Sequence, residues 1–244
     1  MQTMRMSRAP ARRIRSSAAA ALPPGLQRLG GNYGVLLGLI AAIDRRDNYT
    51  LRHCEMVAEY AARLAAALGL SAQAQRSVAI AGMLHDVGKI AVPDAVLCKP
   101  GPLTAEETAL MRQHVAIAPG LILDVPDRNE VVDGVIHHHE RWDGGGYLRG
   151  LAGEAIPYIA RIISVVDVYS ALTLDRPYRK GVSQHVAIAE LEAAAGSQLD
   201  PALTATFITM LRAEGTEAAA AAKAAETVKV AETAQAAQAA EAAA

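Results

Sequence analysis

Aromatic side chains are scarce in this chain: one Trp, one Phe and seven Tyr make up 4% of its residues. A sheet-rich fold draws on aromatic and β-branched residues, so their scarcity beside abundant alanine excludes most all-β architectures. Alanine loses no side-chain entropy in a helix, and the composition therefore favours one. Cysteine is nearly absent too, with only Cys54 and Cys98. Two cysteines outside any CxxC exclude a disulfide framework and a thiolate-zinc site, and they fit a reducing cytoplasm. No apolar run approaches the ~20 residues that a membrane span requires. The longest candidate, Gly34–Ile43, ends at Asp44. Charge of either sign is not in excess, with a net of −1. That excludes a general binder of duplex nucleic acid.

What is present is an apolar content of 52%, enough for a substantial core. Residues 1 to 30 carry arginine, proline and glycine without helical period, and no acid precedes Asp44. A disordered basic segment is expected there in preference to a transit peptide. Residues 31–212 are periodic and form the expected domain. Residues 213–244 form an Ala/Glu-rich tail, expected to be helical with little to bury.

Within 31–212 the apolar spacing predicts helices over 49–68, 71–87, 119–123, 128–139, 156–174 and 183–194, with another opening at Thr104. Thr104-x-x-Glu107 is a capping box, and Ser71 is a helix cap. Lys99-Pro100-Gly101-Pro102 and Asp143-Gly144-Gly145-Gly146 read as loops. The fold expected is all-α, a single helical bundle.

The histidines carry the functional signal. His53 shares an apolar face with Val57, Tyr60, Ala61, Leu64 and Leu68, where a hydrogen-bonded core histidine is the ordinary explanation. His85-Asp86 follows the apolar run Ala79–Leu84, His114 lies one turn beyond Leu110 and Met111, and Asp167 sits within an apolar helix. His137, His138 and His139 are consecutive, with Glu140 next. A buried carboxylate is costly unless paired or bound to metal. Several helices each presenting such a residue to the core are explained together by faces converging on metal. Imidazole and carboxylate without thiolate suit iron, manganese, nickel, cobalt or zinc. Asp86, with two oxygens, is a natural bridge between two ions, which would hold a hydroxide and clamp a phosphodiester.

These segments resemble the HD-GYP family of metal-dependent phosphohydrolases. The resemblance rests on His85-Asp86-Val87-Gly88-Lys89-Ile90, Pro93-Asp94 and the run from Lys99 to Thr104. It continues through His138-His139-Glu140-Arg141-Trp142-Asp143-Gly144-Gly145-Gly146-Tyr147, Gly150-Leu151 and Ile156-Pro157. Asp167-Val168-Tyr169-Ser170-Ala171-Leu172, Arg176-Pro177-Tyr178-Arg179 and Gln198-Leu199-Asp200-Pro201 complete it in order, over about residues 44–212. It implies an HD-type bundle that hydrolyses cyclic di-GMP to pGpG or GMP with two divalent ions, Fe or Mn. It implies His53, His85, Asp86, His114, His138, His139 and Asp167 as ligands, leaving His137 and His185 as surface or helix-end residues. Asp86 and Lys89 would be catalytic, Lys89 standing by the scissile phosphate. Asp143, Tyr147, Arg176 and Arg179 would bind substrate, the arginines through its phosphates, and the loop glycines would let backbone approach the ligand.

The chain departs from the pattern at four places. Leu148 replaces the signature proline, and Tyr49 stands where some members carry a glutamate for a third metal, which points to two ions. Ser170 replaces a second aspartate, and Val115 a proline. Leu148 and Ser170 leave open a weakly catalytic cyclic-dinucleotide sensor, or a module docking a diguanylate cyclase or other signalling protein. A mixed cyclic dinucleotide is the alternative substrate.

Overall fold

The computed structural model describes residues 33–176 and 179–216. The expectations for a disordered start (1–30) and for most of the Ala-rich tail lie outside the described residues. Within them there are helices and no strands. In chain order the helices are α1 (Tyr33–Asp47), α2 (Thr50–Ala67), α3 (Ala72–Leu84), α4 (Asp94–Leu97) and α5 (Ala105–Leu121). There follow α6 (Arg128–His137), α7 (Tyr158–Thr173), α8 (Gln184–Ala194) and α9 (201–216). Tight single-turn helices occupy Val87–Ala91 and Gly153–Ala155.

The expected periodicity places α2, α7 and α8 to within two residues. Three helices were not expected: the single-turn α4, α1 and α9. α1 buries Leu36, Ile40 and Ile43, and α9 buries Leu203, Phe207 and Leu211. Both sets recur every three or four residues, one stripe of a helix. α9 also crosses the expected boundary at 213. α3 starts where its cap predicts, with the Ser71 side chain accepting from Ala74 N at 3.2 Å. It stops at Leu84, earlier than Val87. The reason lies in Gly88, where an added Cβ would stand 2.0 Å from the His114 carbonyl oxygen. The chain leaves the helix to press its backbone against α5. α6 likewise ends at His137 rather than His139.

α5 has the complete capping box: Glu107 N–H donates to Thr104 Oγ1 at 3.2 Å, and Thr104 N–H to Glu107 Oε2 at 2.7 Å. It also runs through Pro119, where a separate short helix was expected. Proline removes one backbone bond, and in the last turn the helix survives that loss.

α2 packs along α3 and α7, and α6 lies on α3, α5 and α7. The few aromatics are concentrated: Tyr60, Tyr169 and Phe207 meet edge to face with centroids 5.3–5.9 Å apart. This knot joins α2, α7 and α9 on the side of α7 away from Asp167. Replacing Ser71 with Ala removes the α3 cap and should lower stability by about 1 kcal/mol. The corresponding fall in Tm is about 2–4 °C, measurable by calorimetry.

Candidate metal centre

The candidate ligands reach the centre from five helices. α2 supplies His53, the end of α3 supplies His85 and Asp86, and α5 supplies His114. The end of α6 supplies His138 and His139, and α7 supplies Asp167. All seven are brought together. His53, His85, Asp86, His114 and His138 are each at most 3% exposed. Their ligand atoms fall into compact groups, His53/His85/Asp86 and His114/His138/His139, each within 4.8 Å. A third such group, His85/His138/Asp167, overlaps both. Asp86 faces both sides: its Oδ2 lies 3.4 Å from His85 Nε2 and its Oδ1 3.6 Å from His114 Nε2. Asp167 Oδ1 lies 3.2 Å from His53 Nε2.

Local bonds aim the rings. His85, His114 and His138 each donate Nδ1–H to the main-chain carbonyl three residues earlier, of Gly82, Met111 and Val135, all at 2.7 Å. At the ends of α3 and α6 this fills a carbonyl the helix leaves open. It also puts the proton on Nδ1 and turns the Nε2 lone pair inward. The buried Nε2 atoms of His114 and His138 then have no hydrogen-bond partner among the described residues. His53 Nε2 and His85 Nε2 face each other at 3.1 Å. Inward lone pairs without donors, set among carboxylate oxygens, are what divalent metal requires, so the residues fit the group.

The electrostatics agree. Burial holds the His138 imidazole well below its ordinary pKa, and neighbouring His139, His85 and His114 push it the same way. Burial also pushes His139 down to about 3 and lowers His53 and His114. Neutral imidazole is the ligating form. Burial acts to raise Asp86, but Lys89 and the histidines around it outweigh burial and hold it well below the carboxylate range. Burial opposes ionisation of Asp167 as well and is overcome by the bond to His53. Lys89 Nζ donates to Asp86 Oδ2 at 2.6 Å. Burial lowers the lysine, but Asp86 overcomes it and the net shift is upward.

The centre opens into a cavity of about 480 Å³, within the range of small-ligand sites. Lys89, Tyr147 and Arg176 stand in its wall beside His53, Asp86, His114, His139 and Asp167. Tyr147 stacks on His139 with centroids 4.9 Å apart. Asp143 and Arg179 are not brought there. Arg141 grips the Asp143 carboxylate through two bonds, at 3.0 and 2.6 Å. Arg179 is exposed and donates to the carbonyl of Ala171. Gly146 makes a close approach, but to the loop's own backbone: a Cβ there would stand 2.4 Å from Arg141 N.

Several contributors escaped the sequence reading. Glu140 is buried and accepts from the amides of Arg149 and Leu151 at 2.6 and 3.1 Å, pinning the loop that carries Tyr147. His137, expected at the surface or a helix end, does end α6 but is 6% exposed and lies 3.6 Å from Glu140. The signal was the acid three residues after a helix-end histidine. Arg112 lies over the Tyr147 ring at 4.7 Å. Asp200, in the closing motif, bonds Arg161 at 2.7 Å and caps α9 through the amides of Ala202 and Leu203.

The profile of the HD domain matches residues 38–203, a span containing every residue of this centre. The chain belongs to the HD domain family. Among its relatives, the HD domain here is 44% identical over 165 residues to a protein of Xanthomonas campestris pv. campestris (strain 8004). That protein is named cyclic di-GMP phosphodiesterase response regulator RpfG; the match covers 67% of this chain and 44% of the relative. It is 36% identical over 159 residues to the 3'3'-cGAMP-specific phosphodiesterase 1 of Vibrio cholerae serotype O1, covering 64% and 37%. The chain thus spans less than half the length of these curated relatives. A solved HDG"Y"P protein from Bdellovibrio bacteriovorus shares the all-α fold, with TM-score 0.53 and 19% identity over 66% of this chain and 52% of that one. The HD-GYP resemblance read from the sequence is in keeping with the HD domain match and with the names of these relatives. No helix among the described residues is long and apolar enough to cross a membrane.

Proposed function

We propose that this HD domain is a metal-dependent phosphodiesterase that hydrolyses cyclic di-GMP to pGpG or GMP. The observation that carries the reading is the pair of ligand groups joined through Asp86 at the floor of a cavity walled by Lys89 and Arg176. His53, His85, Asp86 and Asp167 would hold one divalent ion, and Asp86, His114, His138 and His139 a second. Fe or Mn suits this donor set. Such ions supply Lewis acidity and an activated water when bound.

The chain's own residues do the rest. The Arg176 guanidinium holds a phosphate of the dinucleotide, for which its planar fork is suited. The Lys89 ammonium offsets negative charge growing on the phosphoryl oxygens in the transition state. Tyr147, braced by His139 and Arg112, shapes the cavity wall against which the substrate lies. Asp143 holds the signature loop through Arg141 and Gly145, and Arg179 steadies the turn carrying Arg176. The cysteines are unpaired, which fits the cytoplasm.

The test is to load the purified protein anaerobically with Mn or Fe, add cyclic di-GMP, and chromatograph the products. Formation of pGpG or GMP is expected. Binding without turnover sinks the enzyme reading in favour of a sensor. The relative named for 3'3'-cGAMP favours a second substrate reading, decided by running that dinucleotide alongside. Lys89→Met should keep its metal and lose activity about 10²–10³-fold. Full turnover by that variant would remove Lys89 from the mechanism.

A further inference from the structure

Three of the inward-facing histidines are aimed by carbonyls of their own helices; His53 is not. Its Nδ1 lies 3.1 Å from the Tyr49 hydroxyl and 2.9 Å from Ser170 Oγ. Tyr49 immediately precedes α2, and Ser170 is on α7, buried with 0% exposure. For Nε2 to present a lone pair to metal, the ring proton must sit on Nδ1 and meet an acceptor. Two hydroxyl oxygens stand ready to accept that one proton. Tyr49 does more. Its ring stacks on His53, with centroids 5.0 Å apart and planes 18° apart. The Arg176 guanidinium lies over the same phenol at 4.8 Å and donates to its oxygen at 3.3 Å.

We propose that Tyr49 and Ser170 are paired positioning residues that together orient His53, and that Tyr49 ties the substrate-facing Arg176 to that ring. Both positions depart from the family pattern, and each alone looks like a loss. The structure puts the two departures on one atom, where either hydroxyl can stand in for the other. The inference rests on the metal-dependent hydrolase reading and concerns one of its two metal groups.

Redundancy of this kind has a signature in a double-mutant cycle. Tyr49→Phe keeps the ring stack and the guanidinium contact and removes only the hydroxyl, and Ser170→Ala removes the other. The apo forms of the full chain are titrated with Co(II), read by visible absorption, beside both single variants and the double variant. Wild type takes up two equivalents. Each single variant should weaken one equivalent by about threefold or less, since the remaining hydroxyl accepts the proton. The double variant should weaken that same equivalent by about 10–100-fold while keeping the other. The retained equivalent, at His114, His138 and His139, certifies the fold. A double variant that binds both equivalents like wild type overturns the proposal. So does one that loses both together, because a local hold on His53 leaves the other group intact. The hydrolase reading fails separately, when wild type with two equivalents turns over neither cyclic dinucleotide.

Discussion

Asp86→Asn should abolish turnover, by about 10³-fold or more, and remove at least one equivalent of metal. The expectation follows from the two-sided placement of this carboxylate, 3.4 Å from His85 Nε2 and 3.6 Å from His114 Nε2. An amide keeps the shape but surrenders the negative charge, and half of its end becomes a donor pointed at histidine lone pairs. It also leaves Lys89 without its carboxylate. Metal-based catalysis and the polar groups around it act as a unit, so the loss exceeds that of a single stabilising contact. Metal analysis and product chromatography on the same preparation check it. An Asn variant that retained two equivalents and wild-type turnover would remove Asp86 from the bridging role.

The metal-free protein should lose stability steeply as pH falls below about 6.5. Burial lowers the pKa of His53, His114, His138 and His139 in the folded chain. Once unfolded, those side chains regain the ordinary value near 6.5 and take up protons that the fold refuses. The unfolded state therefore binds more protons, and stability falls with pH through the window from 6.5 down towards the folded value of about 3 for His139. Each histidine still neutral in the fold contributes about 1.4 kcal/mol per pH unit. Asp86 and Asp167, both lowered on folding, add to the same trend at the acid end of the window. Thermal melts of apo-protein between pH 7.5 and 4.5 test this (the range is about two units below and one above the histidine value). A flat Tm across that range would show that the imidazoles are not held neutral. Bound metal should deepen the dependence, since protons compete for the same nitrogens.

The centre was legible because every one of its side chains is chemically out of place on an apolar face. His53 among Val57, Ala61 and Leu64, or Asp167 among isoleucines and valines, is costly unless something binds it. Convergence from separate helices then needed only the motif order. What was overlooked had weaker signals. The stripes of α1 and α9 were present in the sequence, but one ran out of arginine-rich chain and the other into alanine. The sequence before α1 offers no cap, and the Asp200 cap that opens α9 was read only as part of a motif. The ends of α3 and α6 were overrun because periodicity continues past them. Their endings are set by a tertiary contact at Gly88 and by the buried Glu140, which local spacing does not encode. Asp143 looked like a substrate contact from its place in the signature loop, whereas Arg141 two residues earlier already holds it.

The bonds from His85, His114 and His138 to carbonyls three residues back have a consequence for how such a centre can be tuned. Because each ring is anchored within its own helix, its direction is carried by that helix as a rigid part. A change in core volume between helices, such as a trimmed isoleucine, then displaces a nitrogen without turning it. Distances between the ligand groups become adjustable from the hydrophobic layer, far from any polar residue, while the angles stay fixed. His53 differs from these three: one of the two hydroxyls at its Nδ1 comes from Ser170 across the interface with α7, so repacking α2 against α7 shifts its aim onto Tyr49 alone.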